Sequence, residues 1–156
     1  MHAAEAREML SWRYDPPYEM YTIEPEDIEA EVAYQTNPAN HYFSIRHDDE
    51  LVGHCVFHAE ARVPGGDYSE DALDVGIGMR PDWTGQGRGA AITAAVLAFA
   101  QERYQPQQFR ATVAAWNERA QRVCIQNGFQ VESRFAHPET GMAFVILLRS
   151  PGSQRS

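Results

Sequence analysis

The chain has 156 residues, 44 % of them apolar and 22 % charged, the size and composition of one ordinary globular domain that buries a core without staples. Its net charge of −9 argues against sequence-independent nucleic-acid binding, which sets Lys and Arg against phosphates, and is compatible with a cationic or amine-bearing partner. Two cysteines, Cys55 and Cys124, sit in apolar runs and suggest neither a disulfide framework nor a metal site, so no metal is expected and a reducing cytoplasm is the simplest compartment. No stretch reaches transmembrane length, and the polar start lacks the apolar region of a signal peptide.

Ala3 to Trp12 is helix-like and is broken by Tyr14-Asp15-Pro16-Pro17-Tyr18, because Pro17 disfavours a helical Pro16. Glu24 to Gln35 reads as a second helix, with Pro25 in its first turn and Asn37-Pro38 at its end. Tyr42 to Arg46 and Leu51 to Arg62 read as a hairpin around Asp48-Asp49-Glu50, with His54, His58 and Glu60 on one face of the second strand. A loop from Pro64 to about Asp71 leads to a strand from Leu73 to Met79. A helix follows from Gly89 to Tyr104, with Ile92, Val96 and Phe99 on its buried side.

Phe109 to Ala115 alternates as a strand. Asn117 suits the N-cap of the next helix, and Gly128 suits the left-handed residue that ends it. Phe129 to Ala136 and Ala143 to Arg149 are closing strands. The order α-α-β-β-β-α-β-α-β-β predicts an α/β (α+β) fold, a mixed sheet with helices on its faces. A single domain is expected over residues 1–149, with 150–156 as a flexible tail.

Chemistry concentrates where the third strand meets its helix. Gly85, Gln86, Gly87, Arg88, Gly89 and Ala90 follow Arg80-Pro81. Glycines let the backbone curve tightly and clear Cβ atoms from its amides, which then face an anion beside the positive end of a helix. Arg88 adds formal charge. Gly85-x-Gly87-x-x-Ala90 also fits the dinucleotide fingerprint. An NAD site, however, needs an acid after the next strand, and none precedes Glu118. A tight turn without a ligand is a further alternative.

With two motifs in this order, the chain resembles the GCN5-related N-acetyltransferase (GNAT) family. One is the loop Thr84-Gly85-Gln86-Gly87-Arg88-Gly89; the other is Asn117, Ala120, Cys124 and Gly128-Phe129. The match covers about Leu73 to Phe129. The resemblance implies the acyl-CoA N-acyltransferase fold, with a V-shaped opening between the strands Leu73–Met79 and Phe109–Ala115. It implies acetyl-CoA as co-substrate and a primary amine as acceptor, on a small molecule or a protein N-terminus. Backbone groups of Ile77, Gly78 and Met79 would pair with the pantetheine arm like an added strand. Gly85 to Ala90 would hold the pyrophosphate, and Asn117 would bind near the thioester. A main-chain amide near Met79 would polarise the acetyl carbonyl.

The chain departs from the family pattern in four places. Thr84 stands where Arg or Gln opens the loop. Cys124 stands where a tyrosine often protonates the departing thiolate, and is either that acid or packing. Thr112 stands where some members carry a glutamate base. Asp74 is a candidate base, or a solvated acid at a strand end. The family begins with a strand before its first helix; here that strand is expected to be missing or its place filled by another segment, and an unpaired sheet edge would invite a homodimer, or the N-terminal region would form an acceptor lid. The exposed-looking aromatic cluster Trp12, Tyr14, Tyr18 and Tyr21 lies where the family often builds its acceptor pocket, or packs against the sheet. A CoA-binding module without activity is the competing class.

Overall fold

The structure is a computed structural model that describes residues 1–150; most of the expected tail, 151–156, lies outside the described residues. Six strands form a mixed sheet in the order β1-β2-β3-β4-β6-β5, flanked by helices. They are β1 Tyr42–His47, β2 Glu50–Phe57, β3 Leu73–Met79, β4 Phe109–Ala114, β5 Gln130–Ala136 and β6 Ala143–Arg149. The helices are α1 Ala3–Leu10, α2 Ile28–Thr36, α3 Gly89–Tyr104 and α4 Glu118–Gln126. Among the described residues no strand precedes α1, and β1 lies at one end of the strand order. The chain divides into two compact units, 1–56 with 77–84, and 57–76 with the residues from 85 onward.

In the first unit α1 and α2 bury Ala6, Met9, Leu10, Trp12 and Val32 with Leu51 of β2. Trp12 therefore belongs to a core rather than to an exposed aromatic cluster. β1 and β2 pair antiparallel around a turn in which Asp48 and Asp49 both have positive φ, 48° and 68°, the backbone twist that a tight hairpin favours. α2 begins at Ile28, later than the expected Glu24: Asp27 has extended backbone angles, and its side chain accepts the N–H of Ala30. A side-chain cap at Asp27 outweighs the early proline.

In the second unit β4, β6 and β5 form an antiparallel ladder. β3 joins β4 in parallel at Leu73↔Phe109 and Asp74↔Arg110. The run Phe144–Leu147 is wholly buried, as in a strand covered on both faces. α3 matches the expected bounds, but its buried residues are Thr93, Val96, Leu97 and Ala100, while Phe99 is 40 % exposed. This helix is alanine-rich and apolar nearly all round, so its pattern could not say which side faces inward.

β2 ends at Phe57, and a 3-10 turn His58–Ala61 replaces the expected continuation. His58 has φ 69°, a left-handed conformation that interrupts strand alternation. His54, His58 and Glu60 thus do not share a strand face. Phe57, fully buried with its ring 5.4 Å from that of Tyr104, closes the strand as an apolar anchor.

Candidate functional site

The candidate residues take distinct forms. The glycine loop is open. Gly85 and Gly87 have φ of +70° and +76°, the left-handed region that L side chains avoid. A Cβ on Gly87 would meet nothing within 4 Å, whereas one on Gly85 would lie 3.2 Å from Nη1 of Arg119. The loop runs into α3, whose N-cap is Arg88, with no side-chain cap. The first backbone bond of the helix is the N–H of Ile92 to the carbonyl of Arg88, 3.1 Å. No intrahelical acceptor therefore exists for the amides of Gly89, Ala90 and Ala91, and arginine cannot supply one. Amides of this kind, at the positive end of a helix of 16 residues, suit an anion.

α4 is tied to the start of α3 at its C-terminal end and capped at its N-terminal end. Nδ2 of Asn127 donates to the carbonyl of Ala90, 3.2 Å. At the other end Asn117 caps the helix as expected: its Oδ1 accepts the N–H of Ala120 at 3.0 Å, and Gly128 has φ 90°. That oxygen is committed to the cap. Cys124 is half-buried, and burial pushes its thiol up to about 11. Such a thiol stays protonated at neutral pH. Donating to an ordinary thiolate, with a pKa of roughly 8.5, would run uphill by about 3 kcal/mol. Packing is the physically cheaper role.

Asp74 is closed off. It is 1 % exposed, which removes the reading as a solvated acid. Its Oδ1 accepts from Nε of Arg110 at 2.7 Å, and its Oδ2 from Nη2 of Arg110 and Nε of Arg62, both at 2.8 Å. Arg110 is itself buried. A carboxylate whose two oxygens already accept three guanidinium N–H groups is poorly placed to take a proton from an amine. The Tyr68 ring lies beneath both cations, 4.9 Å from the Arg110 guanidinium carbon and 5.4 Å from that of Arg62. Its hydroxyl accepts the Val63 N–H and pairs with Thr112, both at 2.9 Å. Sequence reasoning missed Tyr68, because a lone loop tyrosine carries no spacing signal.

In the first unit, a side chain at Gly78 must displace its neighbour, because a Cβ there would lie 2.2 Å from Cε1 of His54. Nδ1 of His54 is buried without a hydrogen-bond partner, and burial lowers the imidazole to about 4, so this histidine is neutral at physiological pH. The neighbouring peptide is held on both sides. The hydroxyl of Tyr14 donates to the carbonyl of Met79, and the N–H of Arg80 donates to the carbonyl of Val52 at 2.8 Å. Burial raises the Tyr14 phenol to about 12, so it remains a donor. Tyr14 and Tyr21 form an edge-on pair with ring centres 6.4 Å apart. The hydroxyl of Thr84 donates to the carbonyl of Pro81, 2.7 Å.

The family model for the acetyltransferase (GNAT) domain matches residues 1–130. The chain belongs to the GNAT family. As a member it is an acetyl-CoA-dependent N-acetyltransferase, with acetyl-CoA as co-substrate. No curated protein sequence matches it. Solved structures share the fold at low identity. A chimera of the Vibrio cholerae spermidine N-acetyltransferase and hSSAT is 16 % identical over 96 % of this chain and 92 % of its own, with a TM-score of 0.75. An aminoglycoside acetyltransferase solved with coenzyme A is 15 % identical over 98 % and 93 %, with a TM-score of 0.77. A GNAT acetyltransferase from Bacillus anthracis is 18 % identical over 96 % and 91 %, with a TM-score of 0.72. Among the described residues no helix is long and apolar enough to cross a membrane, and no group of three or more His, Cys, Asp or Glu could hold a metal ion.

Proposed function

We propose that this GNAT acetyltransferase transfers the acetyl group of acetyl-CoA to a primary amine by direct attack on the thioester. The observation that carries the coenzyme half is the open glycine loop at the uncapped start of α3. Gly85 to Ala90 would hold the pyrophosphate through backbone amides, with charge from Arg88. The Asn117 amide, and backbone groups of Ile77, Gly78 and Met79, are the remaining proposed ligands for the coenzyme. The double tether of the Met79–Arg80 peptide, by Tyr14 and Val52, supports that assignment, because a preorganised strand end binds without first being ordered. Acetyl-CoA supplies an acyl group already activated as a thioester; the protein orients it.

The acceptor half rests on chemistry shared by the structural neighbours, which are named for spermidine and aminoglycosides, both amines. Tyr14, Tyr18 and Tyr21 are proposed to form part of the acceptor pocket, where aromatic faces attract an ammonium group. Calorimetry with acetyl-CoA, CoA and NAD tests the first half: CoA binds and NAD does not. Thiol release across a panel of polyamines, aminoglycosides, amino acids and peptide N-termini tests the second. CoA binding with silence across the panel would favour a binding module; tighter NAD binding would revive the dinucleotide reading.

A further inference from the structure

Arg119 lies between Asn117 and Ala120 at a position that neither motif specifies, and its assignment rests on the coenzyme reading above. The chain carries a net charge of −9, so a polyanionic ligand approaches against an unfavourable overall field and depends on local cations. The loop's first position, where the family pattern has Arg or Gln, is Thr84, and its hydroxyl is already donated to the carbonyl of Pro81 at 2.7 Å. At the next residue, the space a side chain at Gly85 would enter is bounded by the Arg119 guanidinium, with Nη1 3.2 Å from that Cβ position. Gly85 is thus a glycine twice over, for its φ of +70° and for a cation that stands against it.

The backbone that carries Arg119 is held in place. It lies in the first turn of α4, two residues after Asn117, whose side chain caps that helix at 3.0 Å. The far end of α4 is bonded to Ala90 through Asn127. The helix therefore fixes its arginine relative to the loop and the first turn of α3. A guanidinium presents a fork of N–H donors that matches phosphate oxygens. We infer that Arg119 is a ligand of the acetyl-CoA pyrophosphate and takes over the contact that Thr84 does not make. The facing helix would thus add a second cation to that of Arg88 in the loop.

Calorimetry on the full chain with CoA, 3′-dephospho-CoA and pantetheine tests this assignment. Arg119→Gln should weaken CoA and 3′-dephospho-CoA alike, by about tenfold to a hundredfold, the worth of a charge-assisted hydrogen bond. Pantetheine, which lacks the pyrophosphate, should bind wild type and variant equally, and Arg119→Lys should recover part of the loss. Arg134→Gln, the same charge change on exposed β5, should leave all three affinities unchanged. Unaltered CoA affinity in Arg119→Gln overturns the inference, and so does an equal loss for pantetheine, which would mean damaged structure. A loss confined to CoA would move Arg119 to the 3′-phosphate, and an equal effect of Arg134→Gln would reduce it to net charge. Wild type failing to bind CoA would fall on the coenzyme reading itself and take this inference with it.

Discussion

Asp74 and the loop from Gly85 to Ala90 were both candidates for the site, and the structure treats them oppositely. Asp74 is sealed at 1 % exposure, with both oxygens held by arginines. The loop keeps its amides at an uncapped helix start, and a side chain at Gly87 would meet nothing. A charge satisfied within the protein is an element of stability; amides without an intrahelical acceptor are an element of binding. The same contrast separates two glycines, Gly78 beneath His54 and Gly87 in the loop. Substitutions at the closed positions should therefore damage folding, and those at the open positions should damage ligand affinity.

The largest effect is expected at the closed end. Asp74→Asn leaves Arg110, 1 % exposed, without a neutralising partner, and should cost about 3–5 kcal/mol in denaturant unfolding. CoA affinity of the folded fraction should stay within about twofold, as for an independent site. Strong CoA loss at unchanged stability would reverse the assignment of Asp74.

Gly78→Ala comes next. The new methyl group must displace the His54 ring, an overpacking that should cost about 1–3 kcal/mol. In a His54→Ala background the clash is gone, so the same substitution should cost less, a coupling read from the double-mutant cycle. An identical cost in both backgrounds would show that His54 is not the reason for the glycine.

Gly87→Ala sharpens the other side of the contrast. With φ at +76° and open space around it, alanine should cost only about 1 kcal/mol of stability, the strain of the left-handed region. CoA affinity should fall by about tenfold, the value of one good hydrogen bond to a charged group. Stability loss without affinity loss would reduce the loop to a turn.

The smallest effect is expected at Cys124. A thiol raised to about 11 is a poor donor to a departing thiolate, so Cys124→Ser should keep turnover within about threefold and cost about 1 kcal/mol of stability. A large rate loss with unchanged CoA affinity would make Cys124 the general acid.

Periodicity and end signals in the sequence determined the bounds of β3, α3 and β6, the Asn117 cap and the left-handed Gly128. These depend on hydrogen bonds and backbone preferences within a few residues, so the local chain contains the information. The glycine loop was legible for the same reason, since a left-handed turn followed by a helix is a local demand. Where local signals compete, tertiary packing decides. The buried side of apolar α3 and the end of β2 at Phe57 depend on partners distant in sequence. Whether Asp74 is a base or an ion pair depends on Arg62 and Arg110, 12 and 36 residues away. Arg119 beside Gly85, Tyr68 beneath the arginines and His54 over Gly78 are likewise side-chain meetings that no spacing encodes. The sequence thus determined where an anion can be cradled, and only the tertiary structure decided which charges stand around that place, because a charge's role is set by what the folded chain brings within a few ångströms of it.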